Sequence, residues 1–189
     1  MLIDIQNNIN AQQSAGFIHW AKLNNLKQAA KTMNFLIEHG ISHYGELESK
    51  LTALSARRDT AHAEIKRVES RSAELALVMK HAGTYRQLKP LYDRYRRSND
   101  KEKFLRGHES EIILFEATTR ELKRLGAVPL PTTESMKKDL ANLTTEKERL
   151  LAEYKAARTE AQEYETVKQN VDALWTVPKE LNHAHDFQL

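Results

Sequence analysis

Nine lysines and arginines fall between residues 80 and 106: Lys80, Arg86, Lys89, Arg94, Arg96, Arg97, Lys101, Lys103 and Arg106. Only three acids, Asp93, Asp100 and Glu102, accompany them. The whole chain carries a net charge of +3, so everything outside this stretch is net acidic. At its centre, "YDRYRRSNDKEKF", Tyr92, Tyr95 and Phe104 are set among the cations. Cationic side chains neutralise phosphates, and aromatic faces stack on unpaired bases. The residues for such chemistry are Arg86, Lys89, Tyr92, Arg94, Tyr95, Arg96, Arg97, Lys101, Lys103 and Arg106. Arg94 and Arg97 share a helical face and Arg96 lies off it, so the charges do not all converge. Two other readings fit the same residues. One is a solvated helical tip whose tyrosines pack inward; the other is a surface for an acidic protein.

Other chemistries find less to work with. There is no cysteine, hence no disulfide, thiolate metal site or thiol nucleophile. "HAH", His183 to His185, brings two imidazoles together, but a zinc or copper site needs three or four ligands, and only Asp186 is near. A frayed polar tail explains that motif better. His39 and His43 flank a turn, where capping or exposure accounts for both. His108-Glu109 lacks a visible pocket or third group for acid–base work. There is no Gly-rich phosphate loop, nucleophile elbow or HExxH. The expectation is a chain without cofactor, metal or catalytic residue.

The elements that must carry the basic stretch are helices. Charged residues make up 29% of the 189 positions, aromatics 7%, and there are only 6 Gly and 4 Pro, a mix that favours helix over a large globular core. No signal peptide opens the chain and no apolar run approaches a membrane span, so a cytoplasmic setting without membrane contact is expected.

Punctuation divides the chain into five parts. Residues 1–45 should hold N-terminal helices, one from about Ile3 to Gln13, broken at Gly16, and one from Phe17 to His39. Trp20, Leu23, Leu26, Ala30, Met33 and Ile37 form an apolar face on the second. Gly40 suits its C′ position and Ser42 could cap the next helix. Residues 46–88 carry a heptad seam: Leu47, Leu51, Leu54, Arg58, Ala61, Ile65, Val68, Ser72, Leu75 and Met79. Gly83 and Pro90 should loosen or kink this helix. Residues 89–132 form a basic helical head, with Asp100 as a cap, apolar contacts from Ile112, Ile113, Phe115, Leu122 and Leu125, and an end at Gly126. Residues 133–175, capped by Thr132 or Thr133, repeat the heptad through Met136, Leu140, Leu143, Lys147, Leu150, Tyr154, Ala157, Ala161, Tyr164, Lys168, Val171 and Trp175. Residues 176–189 read as a flexible tail.

The two heptad stretches match in length, and each seam needs a partner. An all-α fold is expected: a long antiparallel hairpin, the head between its arms and the N-terminal helices at its base, with Trp20 near Trp175. Pairing between chains is the rival, so the protein is a monomer or a coiled-coil dimer.

Several ordered blocks carry a family resemblance: "WAKLNNLKQAAKTMNFLIEHGI" (20–41), "YRQLKPLYDRYRRS" (85–98), "HESEIILFEA" (108–117), "LP" (130–131) before a charged helix, and "KQNVDALW" (168–175). Across roughly residues 2–175 the chain resembles the C-terminal region of bacterial relaxases, the mobilisation nucleases of plasmids and integrative conjugative elements. In that family a separate N-terminal domain nicks DNA with a tyrosine nucleophile and a metal-binding histidine cluster. No such cluster stands in this sequence, so no catalytic residue carries over. The resemblance implies a non-catalytic role in DNA processing for conjugative transfer, through DNA, relaxosome or coupling-protein contacts. The alternative is a coiled-coil interaction or dimerisation module that does not touch DNA.

Overall fold

The computed structural model describes residues 1–175, apart from the side chains of residues 11 and 12. The "HAH" motif and the expected tail lie outside the described residues. Five helices occur in order: α1 (Ile9–Gln13), α2 (Ala15–Glu38), α3 (Tyr44–Arg97), α4 (Lys101–Arg124) and α5 (Thr133–Trp175). Among the described residues there is no strand, and no helix is long and apolar enough to cross a membrane. The chain divides into two compact units, one built from Met1–Thr60 with the chain from Glu153 onward, the other from Ala61–Ala152.

In the first unit, Leu47, Tyr164 and Val167 are buried against Phe35, Leu36, Ile41, Leu51, Leu54 and Val171. Here α3 and α5 run in opposite senses, since Glu48 faces Lys168 at 3.9 Å and Arg57 faces Glu153 at 3.3 Å. The Phe35 ring meets Tyr164 edge-on at 4.9 Å and brings α2 onto this pair.

The N-terminus departs from the expected helix at Ile3. Asp4 accepts hydrogen bonds from the backbone N–H groups of Gln6 and Asn7, a turn that competes with helix. Residues 2 and 3 are instead held from a distance. Leu2 N–H donates to Asn170 Oδ1 at 2.9 Å, and Ile3 exchanges two hydrogen bonds with the Asn25 amide. Helix α2 starts one residue before the glycine expected to break the chain, because Ser14 Oγ caps it by accepting from Phe17 N–H.

At the other end of α2 the sequence expectation holds. Gly40 adopts φ +62° at C′; its N–H donates to Ile37 O, and Ile41 N–H donates to Leu36 O. This pair of bonds is a Schellman motif. Gly126 repeats it after α4, with φ +67° and bonds to Lys123 O and, from Ala127, to Leu122 O. Ser42 does not cap α3 through its side chain. The Glu46 carboxylate reaches back to the Ser42 and His43 N–H groups, which lowers its pKa.

The apolar face assigned to α2 is inverted. Ala21 and Thr32 are its buried residues, with Phe35 and Leu36 beside them. Trp20, Leu23, Leu26, Met33 and Ile37 are exposed. The two tryptophans also find separate partners: Trp20 packs on Phe17 at 5.4 Å and Trp175 edge-on to Tyr44 at 6.1 Å.

In the second unit, Val78, Ala82, Leu122, Ala127 and Met136 are buried together, with Leu75, Met79, Tyr85, Leu125 and Leu130 around them. Glu69 pairs with Lys147 at 2.8 Å and Arg86 reaches Thr133, so the α3 and α5 segments of this unit also run in opposite senses. Helix α3 does not end near Leu88: it continues through Pro90 to Arg97. A proline costs a helix one hydrogen bond and some steric strain. Here Tyr85 and Tyr92, on either side of Pro90, both stack on Phe115 at 5.0 and 4.2 Å, and that packing holds the helix through the proline. Asp100 caps α4 by accepting from Lys103 N–H, and Thr132 caps α5 by accepting from Ser135 N–H. Ile112, Phe115 and Leu122 are buried as expected, whereas Ile113 is 55% exposed because the inward face of α4 steps from 112 to 115, 118 and 122.

Candidate nucleic-acid interface

Helix α3 ends and α4 begins at the basic stretch, so its charges surround one tight connection, Ser98-Asn99-Asp100. The aromatic residues there do not stand out as stacking platforms. Tyr92 lies against Tyr95 at 5.9 Å, Tyr95 against Phe104 at 6.1 Å, and Phe104 against His108 at 4.8 Å. Together with Tyr85 and Phe115 these rings form one continuous row that joins α3 to α4. Burial raises the pKa of Tyr92, with Glu116 adding to the effect through its charge and a 3.4 Å contact to the hydroxyl. Tyr92 and Tyr95 are half-buried and each lies against neighbouring rings of α3 and α4.

The cations separate into two groups. Arg86 donates to Pro131 O and to Thr133 Oγ1, spanning from α3 to the start of α5. Lys89 pairs with Asp93 at 3.0 Å and Arg106 with Glu102 at 3.1 Å, each within one helical turn. Arg94 rests over the Phe104 ring at 6.0 Å. Arg96, Arg97, Lys101 and Lys103 are exposed and make no ion pair among the described residues.

Helix electrostatics distinguishes these last four. Basic side chains in the last turn of a helix interact favourably with its dipole, which accounts for Arg96 and Arg97 at the end of α3. Lys101 and Lys103 lie in the first turn of α4, where the dipole disfavours positive charge. Lys101 and Lys103 are exposed and lie two positions apart, so they leave different sides of that turn, and the Asp100 and Glu102 carboxylates lie between and beside them.

No protein-family model matches the chain, and no curated protein or solved structure matches it.

His108, just beyond the basic stretch, behaves otherwise than its neighbour Glu109 suggests. α4 is kinked at His108, with φ −143° and ψ 27°, directly after Gly107. His108 Nδ1 is buried without a hydrogen-bond partner and lies 3.8 Å from Glu111 Oε1, so Glu111 and not Glu109 is its nearest acid. Among the described residues, no group of three or more His, Asp or Glu side chains is arranged to hold a metal ion.

A second polar cluster sits in the first unit. Tyr44 donates a 2.6 Å hydrogen bond to Asp172, Lys168 reaches Asp172 at 3.1 Å, and Lys168 also lies over the Tyr44 ring at 5.3 Å. The hydrogen bond to Asp172 raises the Tyr44 pKa, so the phenol is held in its neutral form. Asp172 is lowered by the Tyr44 hydroxyl and then by Lys168, and Lys168 is raised by the Tyr44 contact and then by Asp172. A phenol stabilised in its protonated form is a clasp between α3 and α5 and a poor nucleophile. The Lys168–Asp172 spacing of four was visible in the sequence; the approach of Tyr44, 128 residues away, had no local signal.

Proposed function

We propose that this chain is a non-catalytic helical module of a DNA-mobilising protein, of the kind the relaxase resemblance implies, and that it contacts the nucleic-acid backbone through the connection between α3 and α4. The observation that carries the reading is the placement of Lys101 and Lys103 in the first turn of α4, across the short 98–100 connection from exposed Arg96 and Arg97 at the end of α3. The fold gains no stability from cations at that end of a helix, whereas binding to a polyanion would.

The same observations narrow the chemistry. Tyr92, Tyr95 and Phe104 are committed to one another, so base stacking is not what the surface offers. Contacts would be to phosphates and independent of base sequence. In this proposal the seams of α3 and α5 pair as one antiparallel hairpin that carries the basic connection. The Glu48–Lys168, Arg57–Glu153 and Glu69–Lys147 pairs, each read within its own unit, support that arrangement. The setting is the bacterial cytoplasm, with relaxosome or coupling proteins as further partners.

Titration of labelled oligonucleotides at low salt tests the proposal. Affinity should fall as roughly the third power of salt concentration if four phosphates are contacted. Substituting Arg96, Arg97, Lys101 and Lys103 together by Ala should remove most of the binding. The alternative, an interaction module without DNA contact, predicts no binding to either strand form.

A further inference from the structure

We propose that the outward face of α2 is a dimerisation surface that pairs with the same face of a second copy of this chain. The most apolar stripe of the helix is the one that faces away from its own chain. Trp20 is 55% exposed, Leu23 47%, Leu26 68%, Met33 60% and Ile37 69%. The opposite, inward face carries Ala21, Asn25, Gln28 and Thr32 together with Phe35 and Leu36, which pack on the core of the first unit. α2 is therefore apolar on two faces, one covered by its own chain and one bare, and the bare face has a second contact to make.

The area fits a second copy. Five such side chains leave roughly 600–700 Å² of apolar surface in water, more than most monomers tolerate in one patch and close to the ~800 Å² each partner contributes to a standard interface. The surface extends past the stripe. Met33 also lines a cleft of about 400 Å³ with Ala29, Leu36, Val171, Leu174 and Trp175, and Leu174 and Trp175 are themselves exposed.

The spacing is self-complementary. From Leu23 the steps to Leu26, Ala30, Met33 and Ile37 alternate three and four, the seam of a coiled coil. Antiparallel pairing about the centre of the stripe sets Leu26 against Ala30 of the second copy, Leu23 against Met33 and Trp20 against Ile37, with large against small at the middle. Parallel pairing sets Lys22 against Lys27 across the seam, twice by symmetry. The antiparallel pair has one such approach, Lys27 to Lys27 near the two-fold axis, so it is the arrangement we assign. A closed isologous contact of this type ends at two chains.

Sedimentation equilibrium of the full chain over about 1–100 µM, a range that brackets micromolar association, tests this surface independently of any DNA contact. The expected result is a monomer–dimer equilibrium, with the dimer strengthened by added salt and by Lys27→Ala. Leu26→Glu with Met33→Glu should give a monomer of unchanged helical circular dichroism whose Tm equals that of the wild type at the dilute, monomeric end of the range and does not rise with protein concentration, because both positions are exposed in the single chain. A wild-type chain that stays monomeric throughout, or a dimer that survives the double substitution, would overturn the proposal.

Discussion

Arg86 donates a 2.6 Å hydrogen bond to Thr133 Oγ1 and a second bond to Pro131 O, so the C-terminal part of α3 is tied to the first residue of α5. An arginine that reads in sequence as part of a basic patch thereby serves to hold the fold.

Arg86→Ala should therefore separate stability from binding. Loss of its hydrogen bonds should cost about 1 kcal/mol in urea denaturation, given their exposure. Oligonucleotide affinity should stay within twofold of wild type. A tenfold loss of affinity at unchanged stability would return Arg86 to the interface.

Asn170 makes a larger structural contribution. Its buried amide accepts from Leu2 N–H and donates to Thr32 Oγ1, joining the N-terminus, α2 and α5 of the first unit. Asn170→Ala leaves both partners unsatisfied and should cost about 1–3 kcal/mol, read as a fall in the urea midpoint at constant slope.

The pH dependence of stability rests partly on the Tyr44–Asp172–Lys168 clasp. The folded-state pKa of Asp172 lies below its unfolded value, so its contribution is complete above the usual carboxylate range and is lost as pH falls through the lower, folded value. Tyr44 and Lys168 are raised, so theirs is complete below the ordinary phenol and ammonium values and is lost as pH rises through the folded ones. Thermal melts should show a plateau between these limits. Asp172→Asn should lower the plateau and flatten the acid limb below about pH 4, where the wild-type slope comes partly from this carboxylate. An unchanged acid slope would show that Asp172 does not act in this way.

Much of the fold was legible because local rules governed it. The heptad positions of α3 all turn inward, and so do those of α5 up to Val171. Gly40, Gly126, Asp100 and Thr132 stand where capping rules place them. The failures are tertiary. Leu23, Leu26 and Met33 have the spacing of a core face, and the sequence does not say whether a core or another chain covers it. Pro90 is a helix breaker whose effect was overridden by Phe115, which approaches from another helix. Asn25 and Asn170 look like ordinary helix-surface amides until the N-terminal backbone arrives to use them. At the candidate interface the charge concentration was plain, and so were the i,i+4 pairs Lys89–Asp93 and Arg106–Glu102, but the Arg86 tie to Thr133, 47 residues away, had no local signal.

The proposed function stands or falls on whether Arg96, Arg97, Lys101 and Lys103 meet a phosphate backbone. Fluorescence anisotropy of a labelled single-stranded oligonucleotide, for wild type and the fourfold Ala variant, tests it most directly across salt concentrations of about 25–200 mM, where counterion release dominates. The wild type should give a log–log slope of about −3, reduced to near zero in the variant at unchanged Tm. Equal affinities and equal slopes for the two proteins would contradict the proposal.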